Sequence, residues 1–536
     1  MPREKKNRIL YIDTSLRNPE RIKTFLSFLV EYKDKILTEE LAKEVEKKLI
    51  MNGLYRPNLN THFPEFKDQE EFTEDEAKKI MEVFTQDHGG GGMYGWGTRF
   101  ITHYHNMQQL GYCSFKLNKK IRISDTGIKL VQLNDEERSK ISMLHLNAVA
   151  HWQTCNPLMN NANNNKHLSL LLKVIKLSLA ETGKGILPRE VPIILCWKNN
   201  VSEELFNYIK DYRNKIDEIL SQNLSSLKKN EVIDITTLKC CSDIFGDEWV
   251  GIDKNEKIKL SGTKTKISTI LKDYPDTYFR YMKETTLIYK KKVIGKSYIS
   301  YDEDQIDLVN YIIENYSDTK EFNSPDEYFE HTSKLDNKLF DENIVEKLSE
   351  NTHLEKWLNE FGLDKIKKEL LILDQPRSKS KDEILKYVRP ALRLEWLISL
   401  YCYGILKNNI KKIVPKYIIN ADGQPTKHAN GESTNNSGVD AIIYENNSFF
   451  TLEPTLLTKT RQYEKESFSN KKHLLTELRN NPNKKGYCVQ ISPEPAFETI
   501  EYAREEKRRD GINLIPISIK NFIKKTEKFK SLKSLI

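Results

Sequence analysis

Val439-Asp-Ala-Ile-Ile-Tyr444 and Ser448-Phe-Phe-Thr-Leu-Glu453 are two short apolar runs separated by Glu445, Asn446 and Asn447. Their length, their β-branched and aromatic content and the polar turn between them predict a β-hairpin. Asp440 lies near the start of the first strand and Glu453 at the end of the second, so antiparallel pairing brings both carboxylates to one end of a sheet. Two carboxylates held together suit a hard divalent cation. The carbonyl of Pro454 offers a third oxygen, because proline lacks an N–H but keeps its C=O. Proline is confined to strand edges, ends or bulges, so the sheet is expected to end or bend just past Glu453.

Downstream, a Lys-, Glu- and Leu-rich stretch from Leu456 to about Leu478 reads as helix, and Tyr487 to Ser492 as an apolar strand. A second helix follows from about Ala496 to Arg509, then a last strand from Ile512 to Ser518. Glu466 and His473, seven positions apart on the first helix, are separated by nearly two turns and share a face. Upstream, Pro390-Ala-Leu-Arg-Leu-Glu-Trp-Leu397 carries Glu395, whose ordinary reading is a partner for Arg393. Glu466 and His473 likewise have ordinary readings as solvated helix residues. Taken together with Asp440 and Glu453 they suggest a nuclease, because a divalent metal on such oxygens activates water and stabilises charge developing on a phosphodiester.

The strand, strand, helix, strand, helix, strand order resembles the PD-(D/E)XK nuclease core, with Thr455 where that core usually carries Lys two positions past the acid. The acid-X-Thr ending, Glu466, His473 and the segment around Glu395 resemble the AlwI family of type IIS restriction endonucleases, which includes strand-specific nicking enzymes. The resemblance is specific around residues 439 to 473 and diffuse elsewhere. It implies that Glu395, Asp440, Glu453, Glu466 and His473 form the active site, with Mg2+ on Asp440, Glu453 and the carbonyl of Pro454. It also implies double-stranded DNA as substrate, a prokaryotic cytoplasmic setting and a cognate DNA methyltransferase as genetic partner. Thr455 leaves no cationic partner for the attacking water, and no general base is assigned.

Length and composition set the outer limits. A chain of 536 residues exceeds one core. The expected fold class is multidomain α+β: 1–140 and 141–300 as winged-helix-like DNA-recognition subdomains, 301–373 as a helical linker, and 374–536 as an α/β PD-(D/E)XK nuclease domain. No apolar run reaches membrane-spanning length, and the first residues lack the apolar core of a signal peptide. Seven cysteines without a CxxC pair read as reduced and buried. A net charge of +8 from 85 basic and 77 acidic side chains permits DNA binding without demonstrating it.

Within 1–140, Thr73-Glu-Asp-Glu76 is a capping box before a helix. After the glycine run at 88–97 a second helix is expected from Thr98 to about Leu110, with Phe100, Ile101, Tyr104 and Met107 on one arc and Arg99, Thr102, His103 and Asn106 on another. A two-stranded basic wing with Lys119 and Lys120 at its turn completes what looks like a winged helix. Such a module would read bases with Arg99 and Asn106, with Thr102 and His103 on the same DNA-facing arc of its second helix, and hold phosphates with Lys119 and Lys120. The glycine run lacks the Gly-Lys-Ser/Thr ending of a phosphate loop, which excludes an NTPase on this motif. In 141–300, the stretch 160–165 reads as an exposed Asn-rich loop, and the helix from Tyr274 followed by the basic run after Leu287 as a second winged helix.

One metal site breaks one strand. Double-strand cleavage therefore requires a transient dimer or a small second nuclease subunit, and without either the protein nicks. From other classes, a non-catalytic winged-helix DNA-binding regulator and an RNA-processing nuclease compete. Four polar groups at catalytic spacing argue against the first, and the absence of an aromatic-rich RNA-binding signature argues against the second.

Overall fold

The structure, a computed structural model, describes residues 14, 16–56, 59–66, 69, 71–87, 96–134, 137–159, 163–245, 250–252, 258–260, 266–340, 347–375, 379–406, 409–428 and 438–536. It is a multidomain α+β protein with a helical majority. Two compact units divide the chain: 1–133, 140–301 and 305–342 form one, and 134–139, 302–304 and 343–536 the other. The stretch expected to be one helical linker is split between them. Ile306–Asn315 and Pro325–Thr332 belong to the first unit, whereas Asn351–Phe361 and Leu363–Leu373 belong to the second.

In the first unit the capping box is made as read: the Glu76 N–H donates to Thr73 Oγ1 and the Thr73 N–H to Glu76 Oε2. It opens the helix Glu74–Asp87. The expected second helix runs Trp96–Gln109, but its inward face is rotated from the expected arc. Phe100, Tyr104 and Met107 are buried as read, whereas Ile101 is exposed and His103 and Asn106 are inside. The reason is polar pairing. His103 Nδ1 lies 2.9 Å from the fully buried Glu46 carboxylate, and Asn106 Nδ2 donates to the Tyr281 hydroxyl at 3.1 Å. Burial pushes the Glu46 carboxyl up and His103 pulls it back. A hydrophobicity pattern counts such residues as polar and turns them outward, although a satisfied hydrogen bond lets them sit in the core. The glycine run at 88–95 lies outside the described residues.

The hairpin expected as a wing is short, with Cys113–Ser114 antiparallel to Arg122–Ile123. Its exposed turn is tied back by Asn118 N–H to the Leu37 carbonyl and Leu37 N–H to the Lys119 carbonyl. Ser124 then caps the helix Asp125–Gln132. The Asn-rich loop is corrected where it is described: Asn163 and Asn165 are fully buried, their side-chain amides donating to the carbonyls of Leu195 and Trp197, and 160–162 lie outside the described residues. Farther on, the helix Tyr274–Glu284 leads into a hairpin of Ile288–Val293 against Lys296–Tyr301.

The second unit is built on a five-stranded mixed sheet: β1 Lys412–Pro415, β2 Ala441–Tyr444, β3 Ser448–Pro454, β4 Lys485–Ser492 and β5 Leu514–Ser518, in spatial order β5-β4-β3-β2-β1. The β1, β2 and β3 strands are antiparallel neighbours, while β3, β4 and β5 run parallel. This is the strand and helix order read from the sequence. Parallel neighbours need crossovers, supplied by the helical run from Lys459 to Asn480 and by Phe497–Asp510. Ala441, Ile443, Phe450, Leu452, Val489 and Ile491 put one face into the larger core, shared with the helix Pro390–Leu406. Ile442, Phe449 and Cys488 on the opposite face meet Leu474 of the helix Phe468–Asn480. Because both faces are covered, every residue of β3 is buried.

Candidate active site

Register places the carboxylates. Ala441 pairs with Leu452, so one step further Asp440 stands opposite Glu453, just outside the β2 ladder. Glu453 pairs with Gln490 on β4. Residues in register share a sheet face, so Asp440, Glu453 and Gln490 line one end of the sheet on the side of the helix Phe468–Asn480. Pro454 is the last residue of β3, as a proline in a central strand must be. The ladder to β4 continues regardless through the Thr455 N–H to the Ile491 carbonyl at 2.8 Å. Alternation turns the missing Pro454 N–H toward β2, beyond that strand's first residue, so no ladder bond is lost there.

The crossover helix brings Glu466 and His473 to the same end. Its turn at Tyr463–Ser467 is widened into a π-helix, a deformation often found at functional sites. From that turn Glu466 accepts from the Thr455 hydroxyl at 3.3 Å. His473, on the regular helix, lies 3.2 Å from Glu453 Oε1 through Nδ1, and its Nε2 lies 3.1 Å from Ser469 Oγ. Gly438 fits against this imidazole. Its φ is +77°, and a Cβ there would stand 2.5 Å from His473 Nε2. The position therefore demands glycine for its backbone and for the space it leaves.

Glu395 arrives from the helix Pro390–Leu406, which is buried on nearly every side. It is 5 % exposed and hydrogen-bonded to His428 Nδ1, and its Oε2 has no partner among the described residues. Arg393 is not its partner. That guanidinium donates to the Leu385 carbonyl.

Four carboxylates thus gather at one end of the sheet, and their electrostatics are strained. Loss of water, then the neighbouring Glu395, Glu453 and Glu466, pushes the half-buried Asp440 carboxyl well above its usual range. Burial pushes Glu453 up to about 7, with Glu466 and Glu395 adding to the rise and His473 opposing it. Like charges this close favour one shared proton or a bound cation. Among the described residues no three His, Cys, Asp or Glu side chains make a metal cage by themselves. The donor set is Asp440, Glu453 and the Pro454 carbonyl, with the unpartnered Glu395 Oε2 in reserve. Oxygen donors of net negative charge fit a hard divalent cation.

Gln490 was missed in the sequence. It is 5 % exposed, and its Nε2 has no hydrogen-bond partner among the described residues. A buried amide left unpaired costs free energy unless a water or ligand meets it. Its only sequence signal is a lone Gln in the apolar run 487–492, which becomes informative once the register sets it beside Glu453. Of the residues read for DNA, Lys119 and Lys120 are exposed at the turn between Ser114 and Arg122, and Arg99 stacks on the Tyr55 ring with its guanidinium 5.4 Å from the centroid. Thr102 is half-buried on the same helix and donates to the Thr98 carbonyl. His103 and Asn106 are engaged inside the protein and offer nothing to a groove.

A hairpin with paired acids, a Thr two positions past the second acid and a helix that returns a Glu and a His to them form one acidic cluster at the end of the sheet. The family model described as AlwI restriction endonuclease matches residues 108–354 and 338–524, well over half of the chain. The chain belongs to the AlwI restriction endonuclease family, and it is a site-specific DNA endonuclease. No curated protein matches it. Among solved structures, the small subunit R.BspD6I2 of the heterodimeric restriction endonuclease R.BspD6I is 17% identical, over 31% of this chain and 77% of that one, with a TM-score of 0.24. The BpuJ1 endonuclease binding domain in complex with modified DNA is 12% identical, over 53% and 96%, with a TM-score of 0.26. Restriction endonuclease FokI is 10% identical, over 96% of each chain, with a TM-score of 0.25. Likenesses at these scores carry no structural argument. Among the described residues no helix is long and apolar enough to cross a membrane.

Proposed function

We propose that this chain is a type IIS restriction endonuclease that reads a short asymmetric duplex sequence through winged-helix-type segments and hydrolyses a phosphodiester outside it with a PD-(D/E)XK-type core. The observation that carries the reading is the convergence of Glu395, Asp440, Glu453, Glu466 and His473, from four separate segments, on one end of a mixed sheet. Asp440, Glu453 and the Pro454 carbonyl would hold Mg2+. Bound there, it supplies Lewis-acid activation of water and neutralises charge on the phosphodiester.

The chain's own groups do the positioning. His473, fixed by Ser469 and Glu453, presents an imidazole at the rim of the site, where it can orient water or contact the scissile phosphate. Thr455, at the position where a lysine is usual, holds Glu466 in place. The Gln490 amide supplies an uncharged N–H donor beside Glu453. Lys119 and Lys120 serve as phosphate contacts, and Arg99 and Thr102 as the remaining candidates for base contact.

With one such acidic cluster among the described residues of the chain, each chain would cut one strand. A second copy or a smaller nuclease subunit completes a double-strand break, and alone the chain nicks. A cognate DNA methyltransferase would protect the host sites.

Supercoiled plasmid incubated with purified protein tests the reading. Mg2+-dependent conversion to discrete linear fragments, or to open circles alone, supports it and separates double-strand cutting from nicking. Asp440→Ala should abolish conversion and leave DNA binding intact. Plasmid that stays supercoiled with Mg2+ over a broad set of sequences, while binding persists, would favour a DNA-binding regulator.

A further inference from the structure

Glu395 reaches the acidic cluster from outside the five-stranded sheet, on the helix Pro390–Leu406. That helix is locked by Trp396, whose ring packs edge-on against Trp357 and Phe361 at 5.2 and 5.4 Å. After loss of water, the largest cause, Glu395 comes ahead of Glu453 and Glu466 in pushing the Asp440 carboxyl up, so these two carboxylates are close neighbours. Only one Glu395 oxygen is satisfied. Oε1 accepts from His428 Nδ1, since an ionised carboxylate can only accept, whereas Oε2 is buried without a partner among the described residues. A half-paired buried carboxylate costs free energy, and folding alone would be served better by pairing both oxygens or by an apolar residue at 395.

His428 is brought to this oxygen by a second, smaller sheet. It directly follows Pro425–Lys427, which pairs with Ile418–Ile419, itself paired to Lys347–Leu348. The far end of that hairpin is tied down. Asn420 Oδ1 accepts from the N–H groups of Asp422 and Gln424, each at 3.0 Å. The buried Asp422 in turn accepts from Lys356 Nζ at 2.6 Å and, through its carbonyl, from Trp357 Nε1 at 2.9 Å. Gly423, with φ of +79° and room for a Cβ only 2.8 Å from the His353 ring, permits this close turn. The same Trp357 thus packs against the helix that carries Glu395 and anchors the hairpin that carries His428, and the two side chains meet in one hydrogen bond.

We propose that His428 is a positioning residue of the acidic site: by holding Oε1 it fixes the Glu395 side chain and leaves Oε2 as the oxygen offered to a divalent cation or to its water. Groups that hydrogen-bond a carboxylate ligand set its orientation, and losing one typically costs about 10- to 100-fold in metal affinity or activity. This deepens the metal-dependent nuclease reading above and rests on it.

The test uses the full chain with His428→Leu, which removes the donor, and His428→Asn, whose amide nitrogen can stand where Nδ1 does. Binding of Mn2+ to DNA-free protein is read from the loss of the free-ion EPR signal, and plasmid conversion is followed as a function of Mg2+ concentration. His428→Leu should weaken Mn2+ binding and raise the Mg2+ needed for half-maximal cleavage, each by about tenfold, with DNA affinity in EDTA unchanged. His428→Asn should recover most of both losses. In a Glu395→Ala background, where no carboxylate is left to position, His428→Leu should cause no further loss. Parental Mn2+ binding by His428→Leu, or an undiminished loss in the Glu395→Ala background, would overturn the proposal. If His428→Leu does not fold, His428→Gln, whose amide extends to the Nε2 position instead, takes its place with the same expected loss. A parent that binds no Mn2+ would refute the metal-dependent reading first, and the role of His428 with it.

Discussion

Replacing Glu453 by Gln tests whether the acidic cluster is a strained site kept for a cation. The glutamate carboxyl, ordinarily near 4.5, is pushed up to about 7 in the folded protein. Folded protein therefore binds more protons than unfolded chain between these values, and stability falls as pH rises through that window. The cost is absent below about 4.5 and complete above about 7. A rise of roughly 2.5 pH units corresponds to about 3 kcal/mol at pH 8. Gln keeps the shape and an oxygen to accept from His473, and it removes the charge. Without divalent cation at pH 8, Glu453→Gln should be more stable than the parent by up to about 3 kcal/mol, a Tm shift of about 6 to 12 °C for a unit of this size. At pH 4.5 the two should melt together. Thermal melts in EDTA from pH 4.5 to 8, followed by the fluorescence of the buried Trp357 and Trp396, read both quantities. Mg2+ should raise the parent's Tm at pH 8 by mass action and leave the variant's nearly unchanged. A parent whose Tm is flat across this range, or a variant no more stable at pH 8, would refute the reasoning.

Gly438→Ala should cost about 1 to 2 kcal/mol from its left-handed backbone and displace His473, lowering plasmid cleavage at least about tenfold with DNA affinity unchanged; cleavage at the parental rate would show that displacing His473 is harmless. Gln490→Met, similar in volume, removes an unpaired buried amide and should leave stability unchanged or raised by about 1 kcal/mol. Its cleavage should fall about tenfold, and full activity would make Gln490 a packing residue. His103→Ala strands the buried Glu46 carboxylate and should destabilise the protein by about 3 to 5 kcal/mol, seen as a large drop in Tm. Unchanged stability with a selective loss of site-specific binding would instead restore His103 to the groove.

The mixed sheet of the second unit was legible because its signals are local. The Val439–Tyr444 and Ser448–Glu453 runs are each a short apolar segment with turn residues between, and register alone then places Asp440 opposite Glu453. Glu466 and His473 were found from helical spacing, although the widened turn at Tyr463–Ser467 was not foreseen; nothing in that composition separates a π turn from an α turn. Gln490 was hidden because its importance comes from the neighbouring strand, a partner over thirty residues away in the chain. The first unit was harder. The helix Trp96–Gln109 was correctly located, but polarity misassigned its faces, since Glu46 and Tyr281 satisfy His103 and Asn106 from distant segments. The same holds for Asn163 and Asn165, where an Asn-rich stretch that reads as solvent-facing is stitched to the carbonyls of Leu195 and Trp197.

The interleaved path of the chain limits how this enzyme can be re-engineered. Residues 302–304 fold with the second unit although the first resumes at 305, and Asp302 accepts from the Ala421 N–H within that second unit at 3.0 Å. A fragment cut from residue 343 onward for fusion to another protein would leave this carboxylate behind. Its junction has to be redesigned around Ala421 rather than spliced at a linker.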